Sequence, residues 1–194
     1  ARLRIPGRHN VANALATCAV CWHGGVPVEQ SSEILADFRG VGRRLTRMGH
    51  VNDITVLDDY AHHPTEIQVT LKAARELYQP RKLWVIFQPH QHSRTRFLLG
   101  DFARSFALAD VVLVPDIYFV RDSEAERSRV AARDLVDQIH LNGGDARYEP
   151  DFGKIVHMLR ENVQPGDAVI TMGAGDVHRI ATDLVNELLA TRPG

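Results

Sequence analysis

The densest group of reactive side chains lies in residues 57–66, with the sequence LDDYAHHPTE. These residues include two carboxylates, a phenol and two imidazoles, which can hold hydroxyl groups, bind anions and carry protons. Apolar residues before the segment predict a buried strand, and apolar residues after it recur at helical spacing. Because ligands bind at such strand-to-helix crossings in open α/β sheets, we interpret the segment as a functional site. A polar turn that merely contains two histidines is the alternative.

The same segment contains the expected start of a helix. Pro64 suits the first helical position, and Glu66 falls in the first turn, where its charge meets the positive end of the helix dipole. His63 is therefore predicted at the N-cap, although Ser, Thr, Asp and Asn are the usual residues there.

A second polar segment, residues 88–96 with the sequence QPHQHSRTR, follows the next predicted strand. Pro89 ends that strand, and two imidazoles and two guanidinium groups come before the following helix. Arginine side chains match carboxylates and phosphates with paired hydrogen bonds. The pattern alone thus predicts an anion-binding cleft built from Asp59, His62, Arg94 and Arg96.

The usual sequence motifs for phosphate binding and for nucleophilic catalysis give no further assignment. Residues 172–176, MGAGD, are not the dinucleotide fingerprint, because His178 occupies the third glycine position. A tight strand-to-helix turn explains these glycines as well as a bound phosphate does. The sequence contains no G-x-x-x-x-G-K-[ST] loop, no G-x-S-x-G elbow and no H-E-x-x-H helix.

A metal site is an alternative use of the same residues. Metal-dependent phosphoesterases use clusters of aspartate and histidine, and two coordination shells would need a second acidic cluster at a later strand end. The sequence shows no such cluster, so we assign no metal ligands. The residues that the alternative would use are Asp58, Asp59, His62, His63, His90 and His92.

The overall composition narrows the function further. The 194 residues are 44% hydrophobic and 24% charged, as in globular proteins. The net charge of -1 gives no general attraction to nucleic acid or anionic membranes. Cys18 and Cys21 form a C-x-x-C pair inside an apolar helical stretch, where we expect two buried small hydrophobes. Free thiols without a disulfide framework indicate a cytoplasmic protein.

These site residues must be positioned by an α/β domain. Near-continuous apolar strands between amphipathic helices predict a mostly parallel, Rossmann-like sheet with helices on both faces. Strands are predicted at 54–57, 83–87, 111–114 and 168–172, with a weaker one near 147–148. Helices are predicted at 64–78, 97–108, 130–140, 152–161 and 177–189, and residues 121–129 are predicted to form a charged loop.

The first 42 residues differ from the rest. A helix capped by Asn10 is predicted to run to about Trp22 and to end at Gly24 and Gly25, and a second covers 28–38. Two short helices bury little surface, so we expect residues 1–42 to belong to a domain that is mostly absent. The glycines at 40 and 42 mark the boundary.

Five segments together resemble the Mur ligase family. They are GRHNVANA at 7–14, GVGRR at 40–44, DDYAHHPTE at 58–66, FQPH with SRTR between 87 and 96, and MGAGD at 172–176. The resemblance implies that residues 1–42 are the C-terminal tail of a central ATPase domain. Residues 43–194 would then be the Rossmann-like C-terminal domain.

The resemblance also implies a reaction. ATP would phosphorylate the carboxylate of UDP-N-acetylmuramate, and the amine of L-alanine would attack the acyl phosphate, as in peptidoglycan precursor synthesis. Mg²⁺ would be required, with ligands mainly in the missing domains. We expect this chain to be inactive without those domains. The nearest alternative is a ligase that recycles murein peptides and attaches a whole peptide.

Residue roles follow from the same resemblance. The nucleotide would be bound by His9, Asn10, Asn13, Arg44 and Asp59, with Asn13 facing the adenine and Asp59 the ribose. His62, His90 and Arg94 would be catalytic, and Tyr60, His63 and Arg96 would bind substrate. The chain departs from the family at Gln91, where relatives commonly have arginine, and Arg94 or Arg96 is expected to supply that charge.

Overall fold

A computed structural model describes residues 3–5 and 7–190, without the side chain of His9. Contacts divide the chain into two compact units, Ala1–Gly42 (unit 1) and Arg43–Gly194 (unit 2). Among the described residues, no helix combines the length and the apolar character needed to cross a membrane.

Unit 1 contains two helices, α1 (Arg8–His23) and α2 (Val28–Asp37). The prediction that Asn10 caps α1 is wrong, because the N-cap is Gly7. Gly7 has a φ of 97°, which glycine adopts at little cost, so the chain enters the helix earlier than the Asn10 signal indicates. The predicted end of α1 is confirmed, since Gly24 is its C-cap and Gly25 has a φ of 86°.

The prediction of buried cysteines is also wrong. Cys18 and Cys21 are free thiols and only half-buried. Two short helices offer little surface for covering side chains, and within this unit Trp22 is 69% and Leu15 67% exposed.

Unit 2 contains a sheet of six strands in the order β1-β2-β6-β3-β4-β5. Only β1 is antiparallel to its neighbour among these strands, so the predicted mostly parallel sheet is confirmed. The strands are β1 (Thr46–Val51), β2 (Ile54–Asp59), β3 (Leu83–Phe87), β4 (Val111–Val114), β5 (Ala146–Tyr148) and β6 (Ala168–Met172).

Helices cover both faces of this sheet. Val85 and Phe87 of β3 join one buried cluster, and Trp84 and Ile86 join the other, because successive strand side chains point to opposite faces. The first cluster includes side chains of α3, α5 and α7, and the second those of α8 and α9. The helices of unit 2 are α3 (Pro64–Tyr78), α4 (His92–Phe97), α5 (Leu99–Ser105), α6 (Glu124–Arg127), α7 (Ala132–Leu141), α8 (Phe152–Asn162) and α9 (His178–Ala190).

Strand β1 was not predicted from the sequence. It pairs with β2 through a hairpin in which Asn52 and Asp53 have φ values of 51° and 60°. As an edge strand it keeps most of its side chains at least partly exposed, so its sequence lacks the apolar pattern of the buried strands.

The region between β3 and β4 also differs from prediction. The single helix expected at 97–108 is shorter, because α5 covers only Leu99–Ser105, and a separate helix, α4, precedes it and ends before Leu98. Arg94 and Arg96 therefore lie on α4, whereas a loop was predicted there. The charged loop contains the short helix α6, whose N-cap Ser123 accepts a hydrogen bond from the Glu126 N–H at 3.3 Å.

Candidate functional site at the carboxyl edge of the sheet

Three neighbouring strands end at the same level. Asp59 of β2 is paired with Met172 of β6, and Met172 is paired with Phe87 of β3. Because β6 lies between β2 and β3, the segments that follow these strands meet at one edge of the sheet, which we call the carboxyl edge. This is the position where α/β sheets bind ligands.

Asp59 organises the first of these segments. Its side-chain oxygens accept hydrogen bonds from the backbone N–H groups of Ala61 and Leu45, at 2.7 and 2.6 Å. Burial raises the pKa of Asp59, and the two backbone hydrogen bonds and the charge of Arg44 oppose that rise. The residue is only 4% exposed. Through its two backbone hydrogen bonds, its carboxylate holds the turn that presents Tyr60.

Asp58 belongs to a separate buried contact. Its carboxylate accepts hydrogen bonds from the Thr171 hydroxyl at 2.7 Å and from Arg43 Nε at 2.9 Å. The same guanidinium reaches the carbonyl oxygens of Gly173 and Gly175, at 2.7 and 3.1 Å. Arg43 therefore links the end of β2 to the turn after β6.

Tyr60 and His62 are more accessible. Tyr60 is 36% exposed, and the guanidinium carbons of Arg43 and Arg44 lie 5.1 and 5.8 Å from the centroid of its ring. The His62 ring packs edge-on against it, with centroids 5.3 Å apart. His62 Nδ1 lies 3.0 Å from the Tyr60 carbonyl oxygen. Since a carbonyl only accepts, Nδ1 carries the hydrogen and Nε2 of neutral His62 carries a lone pair.

His63 has the opposite arrangement. Its Nδ1 accepts a hydrogen bond from the Thr65 N–H at 3.4 Å, so the predicted His63 cap of α3 is confirmed. The role in substrate binding that the resemblance implied for His63 stays a prediction.

His90 completes the group from β3. Its ring centroid is 6.2 Å from that of His62, and it stacks on Tyr118 at 5.7 Å. Arg94 Nη1 lies 3.4 Å from His90 Nδ1, and a guanidinium can only donate. Burial lowers the pKa of His90, and the charges of Arg94, His62 and Arg121 lower it further. In the neutral form of His90, the hydrogen is therefore on Nε2.

Four rings thus form a continuous series, Tyr60, His62, His90 and Tyr118, which we call the imidazole row. Tyr118 was missed in the sequence. The signal that could have found it is its position shortly after β4, because polar residues at the ends of parallel strands meet at one edge. An isolated parallel bridge between His90 and Tyr118 fixes the two residues side by side.

Two other residues of the second polar segment make different contacts. Arg96 donates to both oxygens of Glu126, at 2.9 and 3.2 Å, and lies over the Phe97 ring. Hydrogen bonds from Arg96 lower the pKa of Glu126. His92 is 7% exposed and packs edge-on against Phe119.

Residues 3–5 and 7–190 contain no group of three or more His, Cys, Asp and Glu side chains arranged to hold a metal ion. The oxygens of Asp58 and Asp59 already accept hydrogen bonds from Arg43, Thr171 and backbone groups. The phosphoesterase alternative therefore gains no support from this site.

Comparison with known proteins identifies the fold family. Residues 43–175 match the domain family described as Mur ligase, glutamate ligase domain. The chain belongs to the Mur ligase family.

Individual relatives extend this similarity over almost the whole chain. A UDP-N-acetylmuramate–L-alanine ligase of Acetivibrio thermocellus is 46% identical over 92% of this chain and 38% of its own length. The crystal structure of a UDP-N-acetylmuramate–alanine ligase from Thermotoga maritima is 31% identical, with a TM-score of 0.77, over 98% of this chain and 40% of that one. A murein peptide ligase from Psychrobacter arcticus is 30% identical, with a TM-score of 0.74, over 96% of this chain and 38% of that one. The chain thus spans about two fifths of these Mur ligases.

The residues implied to bind nucleotide are divided between the units. Asn10 and Asn13 lie on α1 of unit 1, and Arg44 and Asp59 lie in unit 2. His9 also lies on α1, but its side chain is outside the described residues. Their roles stay predictions.

Gln91, the departure from the Mur ligase pattern, precedes α4 with a φ of 68°. Of the two arginines expected to replace the missing charge, Arg96 is paired with Glu126, whereas Arg94 contacts His90. The geometry favours Arg94.

Proposed function

We propose that this chain is part of an ATP-dependent ligase that joins L-alanine to UDP-N-acetylmuramate in peptidoglycan precursor synthesis. The observation that carries the proposal is the imidazole row, in which two histidines with opposite hydrogen-bonding character lie 6.2 Å apart. We take the two proposed substrates from the UDP-N-acetylmuramate–L-alanine ligases to which the chain is similar.

The reaction has two steps. The muramate carboxylate attacks the γ-phosphorus of ATP, giving ADP and an acyl phosphate. The amine of L-alanine then attacks the acyl carbon, the bond to the phosphate oxygen breaks, and phosphate leaves as the amide forms. Because alanine arrives as an ammonium ion, a proton must be removed before or during attack.

His62 is suited to receive that proton. Its Nδ1–H donates to the Tyr60 carbonyl, which fixes the ring and turns the lone pair to Nε2. The Tyr60 ring packs against the imidazole and holds its orientation. Substitution of His62 is therefore expected to slow the second step.

Beside His62, His90 supplies a hydrogen-bond donor and Arg94 supplies a positive charge. Neutral His90 presents Nε2–H, which can hydrogen-bond oxygen atoms that gain negative charge in the tetrahedral intermediate. Arg94 keeps its charge next to His90 and can hold the carboxylate of alanine. We assign these residues mainly to positioning and charge stabilisation.

The nucleotide would be bound by Arg44, Asp59 and the α1 residues His9, Asn10 and Asn13, and Tyr60, His63 and Arg96 would contribute to substrate binding. Mg²⁺ would neutralise part of the charge of bound ATP. Its ligands would lie mainly in the other domains of the complete protein, as the family resemblance implies.

Residues 1–42 would be the end of the central ATPase domain, and residues 43–194 the Rossmann-like C-terminal domain. The other partners would be the remaining Mur ligase domains on the same chain, in the cytoplasm, without nucleic acid or membrane.

The second candidate function is murein peptide recycling, because the murein peptide ligase has nearly the same TM-score as the alanine ligase structure.

Amide formation by the complete protein tests the proposal. ATP and UDP-N-acetylmuramate are supplied with either L-alanine or the murein tripeptide, and phosphate release and the nucleotide product are measured. We expect product with alanine and no turnover by the 194-residue chain alone. Product only with tripeptide would favour recycling, and turnover by the chain alone would overturn the domain assignment. Stoichiometric bound zinc or manganese with phosphoesterase activity would overturn the ligase assignment.

A further inference from the structure

Arg43 makes an unusually large set of contacts for a residue outside the imidazole row. Each of its three guanidinium nitrogens has a different acceptor: Nε on Asp58, Nη1 on Gly175 and Nη2 on Gly173. Its own carbonyl accepts the Tyr60 N–H at 2.7 Å. The backbone at Arg43 has a φ of 60°. A residue other than glycine keeps such a φ only when surrounding contacts offset its conformational cost.

One end of the imidazole row is held directly by this residue. Arg43 binds the Tyr60 backbone through its carbonyl and lies 5.1 Å from the centre of the Tyr60 ring. The Tyr60 carbonyl in turn fixes the His62 ring through Nδ1. A displacement of Arg43 would therefore move the His62 lone pair.

The other end is held through the turn after β6. Gly175, whose carbonyl Arg43 binds, packs so closely on Tyr118 that an added Cβ would lie 2.8 Å from the Tyr118 ring and would collide with Gln88 Oε1. Tyr118 stacks on His90. The contacts of Arg43 thus extend to both histidines, by two independent routes.

We propose that Arg43 is a positioning residue that sets the spacing between His62 and His90 for acyl transfer. This inference rests on the proposed ligase function. The planar guanidinium is required because it reaches one carboxylate and two carbonyl groups in different directions, whereas a lysine ammonium is a single compact charge. Lysine can keep the ion pair with Asp58 but cannot maintain all three contacts.

The test compares Arg43→Lys and Arg43→Gln with a matched pair at the other edge of the sheet. Arg81 also binds a buried carboxylate, Asp167, at 2.9 Å, next to the beginnings of β3 and β6. Arg81→Lys and Arg81→Gln therefore alter an arginine–aspartate pair of the same sheet without touching the imidazole row. All variants are made in the complete ligase and assayed with ATP, UDP-N-acetylmuramate and L-alanine.

We expect Arg43→Lys to remain folded with a thermal midpoint near that of the unsubstituted enzyme and to lower kcat about 100-fold, because an ångström of misplacement costs that much. KM for ATP should change little. Arg81→Lys should retain its kcat. If Arg43→Gln fails to fold, the kcat of Arg43→Lys still tests the positioning role of Arg43.

A second readout does not depend on turnover. In the 194-residue chain, Arg43→Lys should move the NMR titration of His90 toward that of a free histidine, because Tyr118 no longer covers the ring. Arg81→Lys should leave the titration in place. Unchanged kcat and an unchanged His90 titration in Arg43→Lys would overturn the inference while leaving the ligase function intact. An unsubstituted enzyme without ligase activity would instead overturn the proposed function, and the His90 titration would still test the positioning role.

Discussion

The two edges of the sheet each contain an arginine paired with a buried aspartate, but they differ in what surrounds the pair. At the edge where β3 and β6 begin, Asp167 accepts the Trp84 indole N–H at 3.1 Å and the Gln164 N–H at 3.0 Å and pairs with Arg81. At the carboxyl edge, Asp58 pairs with Arg43. Of these two pairs, only the second is connected to the partly exposed tyrosine and histidine rings of the imidazole row.

An arginine paired with a buried aspartate therefore does not by itself distinguish the candidate site from the rest of the sheet. Backbone conformation separates the edges more clearly. Around the carboxyl edge, Arg43, Leu45, Gln91 and Arg121 have φ values of 60°, 45°, 68° and 50°. The other positive-φ residues except glycine, among those described, are two in the β1–β2 hairpin and one at the C-cap of α3. Residues with a positive φ are thus concentrated beside the candidate site, and strained backbone of this kind is common in functional regions.

The largest expected effect is on catalysis by His62. His62→Gln in the complete ligase should lower kcat/KM by about 10²–10⁴-fold, the usual loss when a general base is removed. Folding stability should change by less than about 0.5 kcal/mol, since the ring is partly exposed. His157→Gln, on the exposed surface of α8, is the control and should behave like the unsubstituted enzyme. Equal losses in both variants would remove His62 from the mechanism.

At the opposite edge, the next effect should appear in stability. Asp167→Ala should reduce the free energy of unfolding by about 1–3 kcal/mol, because the N–H of the buried Trp84 side chain loses its acceptor. Urea unfolding measures this loss. Asp167→Asn, which keeps an acceptor oxygen, should cost less. A lower kcat in the folded fraction would show that this edge also contributes to catalysis.

The turn after β6 provides a smaller test. Gly175→Ala places a Cβ against Gln88 Oε1 and 2.8 Å from the Tyr118 ring, so we expect the Tyr118 ring to shift relative to His90. We expect kcat to fall by about 100-fold, as for ångström-scale misplacement. Gly100→Ala is the control, because its Cβ would meet only the mobile end of the Arg104 side chain, at 3.4 Å. Equal rates for the two variants would contradict the packing argument.

The smallest effect is the pH dependence of stability. Burial lowers the pKa of both His90 and His92 below the ordinary value of 6.5. In the range just below 6.5, the unfolded chain binds protons that the folded chain does not, so stability falls as the pH falls. Carboxylates with lowered pKa values, such as Glu126, contribute only below their ordinary value of 4.5.

Urea titrations between pH 7 and pH 5 measure this slope. His90→Gln should make it shallower, because one of the two protons taken up on unfolding is removed. Burial raises the pKa of Asp59, which gives the opposite slope above its ordinary value of 3.8. An unchanged slope in His90→Gln would show that His90 is not held neutral.

Much of unit 2 followed from local sequence. Helix α3 begins and ends where its spacing and Pro64 predicted, and β3, β4 and β6 match their apolar runs because strands buried on both faces leave a strong signal. Strand β1 escaped because an edge strand with exposed side chains lacks that signal.

The site was predictable only in part. Polar residues at the strand ends indicated His62, His90 and Arg94, but their tautomers depend on contacts with the Tyr60 carbonyl and with Arg94 that appear only in three dimensions. The pairing of Arg96 with Glu126 joins residues 30 positions apart, and no local pattern reveals it.

The most direct test of the account is a double-mutant cycle between His62 and His90 in the complete ligase. The rate of amide formation is measured for His62→Gln, His90→Gln and the double variant under saturating ATP, UDP-N-acetylmuramate and L-alanine. If the two imidazoles act as one unit, the double variant should be little slower than the slower single variant. Losses that simply multiply would show that the histidines act independently and would contradict the imidazole row as a catalytic unit.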